Sequence, residues 1–347
     1  MDQEVRQAAG EVILGGFPEA TVSPEYAELL RSGRVGGAVL FRRNLTSCEQ
    51  AAALTESLKA LRPDAWLAID QEGGRVQRLG PPFPQLPPMR QLGERPDAAA
   101  HVSRAGTILS QGLAMLGLHQ NYAPVLDVDT HPDNPAIGDR AFSSDPQQVA
   151  DCGVALIQAL QMGGIAACGK HFPGHGDSHT DSHVELPRLD HDLDRLRRVE
   201  LVPFAAAMRA GVASIMTTHV CYTALDAVHP TTLSEAVIEP LLRRELGYDG
   251  VVVTDDMEML AIMDHYGIEE AAVRALRAGC DQLLICHRVE LQVAAYEALV
   301  RAVEAGELPR RRLLQAAARL RRMKQRYQPL AARLDALHQQ WSESWAS

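Results

Sequence analysis

Gly250 to Met259 reads GVVVTDDMEM: three valines and a threonine run straight into two adjacent carboxylates, Asp255 and Asp256. A short β-branched run after a glycine suits a strand buried on both faces. Similar apolar runs recur along the chain, and the strands expected are Val12–Phe17, Gly37–Phe41, Trp66–Asp70, Tyr122–Val128, Ile165–His171, Ser214–His219, Gly250–Asp255 and Asp281–Cys286. Segments of helical period lie between them at Ser47–Leu61, Asp97–Leu116, Pro146–Met162, Leu193–Ala210, Ser234–Leu246 and Glu269–Ala278. Several of these close on glycine, at Gly117, Gly163, Gly211, Gly247 and Gly279, as a helix C-cap prefers. Eight strands alternating with helices over about 280 residues have the proportion of an α/β protein of the (β/α)8 TIM-barrel type.

The reactive residues fall where that fold does its chemistry. Asp70 with Gln71 and Glu72, Asp127 and Asp129, Lys170 with His171, Thr218 with His219, and Asp255 with Asp256 all stand at or just past an expected strand end. Barrel enzymes build their sites on that C-terminal rim. A doubly wound sheet also collects residues there, but no GxGxxG loop with a following acid supports one. Gly80–Pro88, GPPFPQLPP, is too rich in proline for helix or strand and reads as an ordered loop. With no repeat or linker, the expectation is one catalytic barrel domain over 1–347, the barrel spanning about 10–325. A helical extension is expected over 328–347, and Arg310–Arg326 reads as the solvated face of a helix whose Leu313, Leu314, Ala317, Leu320 and Met323 recur at helical spacing.

Adjacent residues on a strand leave opposite faces, so one of Asp255 and Asp256 is expected in the barrel mouth. Asp255 shares the parity of Val251 and Val253. Lys170–His183, KHFPGHGDSHTDSH, holds four of the chain's thirteen histidines. So dense a cluster of groups titrating near neutrality points to a reactive site. The fourfold spacing of His171, His175, His179 and His183 would suit metal ligands on a helix. Pro173, Gly174 and Gly176 argue for an irregular loop, where that spacing loses its meaning. Asp181 and His183, two apart on extended backbone, make a better pair: the carboxylate orients the imidazole and raises its proton affinity. A strand-end aspartate with such a proton carrier is what a double-displacement hydrolase needs. DQEGGRVQR, Asp70–Arg78, and GDRAF, Gly138–Phe142, add acids and arginines suited to vicinal hydroxyls.

The net charge of −10 is spread without long runs, which leaves no electrostatic footprint for nucleic acid or an anionic membrane. No run approaches a membrane span, and the N-terminus with Asp2, Glu4 and Arg6 does not read as a signal peptide. The six cysteines show no CxxC pair or metal-like spacing and read as reduced, buried residues. The expected location is the cytoplasm. The oligomeric state stays open, with a monomer the simpler expectation.

Taken together, DQEGGRVQR, GDRAF, KHFPGHG followed by DSH, and VVVTDD resemble the family-three glycoside hydrolases, in particular single-domain bacterial β-N-acetylglucosaminidases of cell-wall recycling. The resemblance runs from the first expected strand, with GGAVLFRRN beside it, to about Cys286. It implies a (β/α)8 barrel, Asp255 as nucleophile, His183 as general acid/base tuned by Asp181, and sugar contacts from Asp70, Arg78, Arg140, Lys170 and His171. It further implies retaining hydrolysis of terminal β-linked N-acetylglucosamine, with a muropeptide as the small carbohydrate substrate and no metal or organic cofactor. Phosphorolysis on the same scaffold, a silent sugar-binding protein and a metal-dependent hydrolase are the rival readings. Two residues depart from the family pattern: Arg42, where a small residue is commoner, and Glu258 after TDDM, a charge expected to alter loop packing or substrate tolerance.

Overall fold

The strands close on themselves. In a computed structural model that describes residues 2–178 and 186–329, β1 (Ile13–Gly15), β2 (Gly37–Leu40), β3 (Trp66–Ile69), β4 (Gln120–Asn121), β5 (Ala166–Phe172), β6 (Ser214–Thr217), β7 (Val251–Asp256) and β8 (Gln282–Ile285) form a closed barrel. Each strand pairs in parallel with its neighbours in sequence, and β8 returns to β1 through Ile13↔Leu283. The expected (β/α)8 architecture is therefore the observed one, with the carboxyl ends of all eight strands at one rim.

Seven strands fall within a residue or two of their expected bounds, and the fourth does not. Tyr122–Val128 runs beyond the true strand, Gln120–Asn121, and its ladder pairing with β5 is an isolated Val125↔Lys170 bridge. Pro124 has no N–H to continue a ladder. Two buried amides looked unlike a strand, yet the barrel satisfies them. Gln120 accepts from Trp66 Nε1 at 2.7 Å and donates to Ser214 Oγ at 2.8 Å. Asn121 exchanges hydrogen bonds with the backbone N–H and C=O of Gln71 at 2.9 Å each.

Helices pack around the outside, and several begin on side-chain caps. Ser47 accepts from Gln50 N ahead of Cys48–Leu61, and Asp145 accepts from Gln147 N ahead of Pro146–Met162. Helices also form at Gln3–Glu11, Pro24–Arg31 and Val289–Glu304, and the basic Arg310–Arg326 segment is helical as expected. The helix expected over Leu193–Ala210 is two, Leu193–Arg198 and Leu201–Arg209. The break follows Val199, whose backbone leaves the helical region and lets Arg195 reach back to Glu200. Ser234–Leu246 is a short α-turn that widens into a π-helix over Ile238–Glu245. Phe204 anchors its helix on β5, edge to face with Phe172 at 5.4 Å, a contact worth about 0.5–1.5 kcal/mol.

The opposite end of the barrel is held by charge. Asp281, fully buried just before β8, faces Arg243 at 2.6 Å, Arg312 at 2.8 Å and Arg319 at 3.3 Å, and accepts from Val252 N. Asp281→Ala removes the buried carboxylate that three guanidinium groups share, so the expected loss is about 3–5 kcal/mol of stability. Turnover per folded molecule stays unchanged, because the rim is at the other end. Urea denaturation alongside kinetics checks this, and a near-wild-type midpoint would contradict it.

Among the described residues no helix is long and apolar enough to cross a membrane. The helical extension expected over 328–347 lies outside the described residues from position 330 onward.

Candidate active site

A cavity of about 450 Å³ opens at the carboxyl rim, and Asp70, Glu72, Arg78, Arg140, Lys170, His171 and Asp255 all line it. Six of the site residues expected from sequence thus converge on one volume, of a size that suits a sugar. Asp181 and His183 lie outside the described residues. A larger cleft of about 690 Å³ at the opposite end carries no comparable set. Its acids Glu245 and Asp249 are taken up by Arg197, Arg319 and Arg322.

The turn out of β3 is built by its own sequence. Asn121 fixes the Gln71 peptide, and Gln71 Oε1 accepts from Arg78 N at 2.8 Å and Leu79 N at 3.1 Å, so the chain doubles back on itself. Gly73 and Gly74 make the bend at φ 123° and 56°, and a Cβ on Gly73 would meet the Pro87 carbonyl at 2.8 Å. Asp70, Glu72 and Arg78 are thereby brought to one wall.

Glu72 is the residue that sequence reasoning left out of the site. It is buried and forms a bidentate pair with Arg140, Nε to Oε2 at 2.9 Å and Nη2 to Oε1 at 2.8 Å, while Lys170 Nζ lies 2.6 Å from Oε1. Lys170 Nζ also donates to Asp70 Oδ1 at 2.7 Å, and Arg78 reaches Asp70 Oδ2 at 3.5 Å. Burial works against the Glu72 carboxylate, but Arg140 and Lys170 outweigh it and hold its pKa well below the usual range. Burial likewise works against the Lys170 ammonium, which Asp70 and Glu72 keep charged by raising its pKa. The signal was present: Asp70 and Glu72 are two apart, the spacing that shares a face on extended chain.

Asp127, also fully buried, organises the second wall. It accepts from His171 N at 3.1 Å and His175 N at 2.7 Å, and its Oδ2 lies 2.7 Å from His171 Nδ1. A carboxylate only accepts, so Nδ1 carries the proton and the ring orientation is set. No helix forms over His171–Ser178, consistent with the loop read from Pro173 and Gly174.

Both Asp255 and Asp256 line the cavity, which corrects the parity expected from sequence. The β7–β8 register runs Val253 to Asp256 against Gln282 to Leu284, so β7 carries one extra residue at its end. The β5–β6 register does the same, Gly169 to Phe172 against Ile215 to Thr217, where Lys170 and His171 both line the cavity. Such irregularities re-aim side chains at active sites. Asp255 Oδ1 accepts from Asp256 N at 2.8 Å, which fixes its carboxylate. Glu258, one of the two departures, has a buried side chain that accepts from His287 N at 2.6 Å and Arg288 N at 3.0 Å, holding the loop after β8. Arg42 is exposed on the 3-10 turn after β2.

Residues 5–323 match the model of the glycosyl hydrolase family 3 N-terminal domain. The chain belongs to glycosyl hydrolase family 3. A beta-hexosaminidase from Thiobacillus denitrificans is 43% identical over 263 residues, 74% of this chain and 73% of that protein. Among solved structures, the family 3 β-N-acetylglucosaminidase of Paenibacillus sp. FPU-7 superposes with a TM-score of 0.93 at 39% identity, covering 97% of this chain and 67% of that one. Native NagZ from Neisseria gonorrhoeae superposes at 0.80 with 34% identity, covering 95% and 92%.

Three buried groups couple this family 3 barrel to pH. Burial pushes His175 down to about 4 and, with Lys59 and Lys324 adding to it, His119 down to about 3. His119 Nδ1 accepts from Leu67 N at 3.1 Å, a bond that requires the neutral ring. Both histidines and Glu72 have folded pKa values below their unfolded ones, so their stabilisation is complete above the unfolded values and is lost as pH falls through the folded ones. The urea midpoint should hold steady above pH 6.5 and fall toward pH 4. A midpoint constant down to pH 4 would contradict these assignments.

Proposed function

We propose that this chain removes terminal, non-reducing β-N-acetylglucosamine with retention of configuration, acting as one catalytic barrel domain. The observation that carries this reading is the convergence of Asp255 with Asp70, Arg78, Arg140, Lys170 and His171 in one rim cavity. The beta-hexosaminidases and β-N-acetylglucosaminidases it is similar to support the choice of sugar.

Asp255 attacks the anomeric carbon while His183, protonated and oriented by Asp181, gives its proton to the leaving oxygen. His183 then takes a proton from water, whose oxygen displaces Asp255 and frees the sugar. The charged wall of Asp70, Arg78, Arg140 and Lys170 grips the sugar's polar groups, with His171 held in one orientation by Asp127. A muropeptide in which N-acetylglucosamine is joined to 1,6-anhydro-N-acetylmuramic acid is the substrate we favour, in cell-wall recycling. We place the reaction in the cytoplasm, in keeping with six cysteines that are buried and unpaired. The residues present do the proposed chemistry without a metal or organic cofactor.

The test is chromophore release from an aryl β-N-acetylglucosaminide, with the sugar product identified with and without phosphate and with chelator present. Free N-acetylglucosamine in every buffer supports hydrolysis. A sugar phosphate would move the assignment to a phosphorylase, and loss with chelator to a metal-dependent enzyme. His183→Ala should lower turnover of the muropeptide more than that of the activated aryl glycoside, because a good leaving group needs less protonation. Equal losses on the two substrates would remove the acid role.

A further inference from the structure

His287 stands two residues past the end of β8 and lines the same cavity as Asp255, yet nothing in the mechanism above uses it. Its side chain is about half exposed, at 48%. A solvated histidine in that position needs no fixing, and this one is fixed from three sides. Nε2 lies 3.0 Å from Asp256 Oδ2, the backbone N donates to Glu258 Oε1 at 2.6 Å, and the ring packs against Phe41 with centroids 5.5 Å apart. Phe41 is in turn backed by Arg43 at 4.5 Å and Arg78 at 5.4 Å.

These contacts are not needed to close the barrel. The ends of β7 and β8 are already tied by Met257 N to the Leu284 carbonyl at 2.9 Å and by Cys286 N to Asp256 Oδ1 at 3.3 Å. Asp256 Oδ1 also accepts from Glu258 N at 3.1 Å. Opposite an ionised carboxylate, Nε2 is the protonated nitrogen, which leaves Nδ1 as the ring's second polar atom. Among the described residues Nδ1 has no hydrogen-bond partner. A ring held rigid in a sugar cavity with one polar atom uncommitted is a preorganised contact.

We infer that His287 is a further substrate-contacting residue, whose Nδ1 hydrogen-bonds a hydroxyl of the sugar seated against Asp255, with Asp256 and Glu258 as its positioning residues. The inference rests on the sugar-hydrolase reading of this cavity. It also gives the unusual Glu258 a role: its carboxylate fixes the backbone of the very residue that would touch the sugar.

Kinetics of the full chain on the aryl β-N-acetylglucosaminide test it. His287→Ala should raise KM about three- to tenfold, the effect of one lost hydrogen bond, with an unchanged melting temperature. His287→Asn, whose amide reaches the region of Nδ1, should recover most of that loss, a rescue that a merely structural role would not produce. Glu258→Ala should raise KM in the same direction. An unchanged KM in His287→Ala, with the wild type active, would overturn the inference and leave the hydrolase reading standing. Calorimetric titration with N-acetylglucosamine reads the same contact without turnover. Weaker binding by His287→Ala supports it, whereas equal affinity, or no binding by the wild type, overturns it.

Discussion

Asp255→Ala should lower kcat/KM for an aryl β-N-acetylglucosaminide by about 10³-fold or more, because in the proposed mechanism Asp255 forms the glycosyl-enzyme bond and the neighbouring Asp256 carboxylate is tied up by Cys286 N, Glu258 N and His287. The folded state should survive the change. Asp255 is only partly buried, and its carboxylate accepts from Asp256 N, its own chain neighbour. Asp256 is held independently by Cys286 N, by His287 and by His219 Nε2 at its carbonyl, so the rim keeps its shape. Steady-state kinetics beside a thermal melt check the prediction. A mutant that melts normally and retains substantial turnover would show that another group is the nucleophile.

Glu72→Ala has the second large effect, and it should appear in stability as well as rate. The Glu72 carboxylate lies between Arg140 and Lys170, all three largely removed from water. Removing it leaves two buried cations with Asp70 alone, at an expected cost of about 3–5 kcal/mol. Glu72→Gln keeps the shape but loses the bidentate charge pair, so Arg140 and Lys170 shift against the sugar. A displacement near 1 Å at such contacts lowers kcat/KM by about 100-fold. Chemical denaturation of the alanine variant and kinetics of the glutamine variant separate the two effects. Wild-type behaviour in both would reduce Glu72 to a dispensable ion pair.

The barrel was legible because seven of its strands are short apolar runs, and four of these lead straight into reactive residues, at Asp70, Lys170, Thr218 and Asp255, as in VVVTDD and AACGKH. The fourth was misread for a physical reason. Gln120 and Asn121 are polar, and only partners from Trp66, Gln71 and Ser214, distant in sequence, make them acceptable inside a barrel. The candidate site was legible as a set of strand ends, but its internal wiring was not. Strand alternation predicts one inward carboxylate from Asp255 and Asp256, and the extra residue at the end of β7 is a property of its pairing with β8. Glu72 stood in plain view in DQEGG. What hid its importance is that its partners Arg140 and Lys170 come from segments about 70 and 100 residues away, joined only by closure of the barrel. Glu258 was visible as an unusual charge, and its hold on the β8 loop emerges only from the fold.

The central claim is that Asp255 becomes covalently bound to the sugar. Mass spectrometry after incubation with a fluorinated N-acetylglucosaminyl fluoride, which slows the second displacement, tests it most directly. The account predicts one glycosyl adduct, on the peptide carrying Asp255 and absent from Asp255→Ala. An adduct on another residue, or full turnover with inverted product and no adduct, would contradict it.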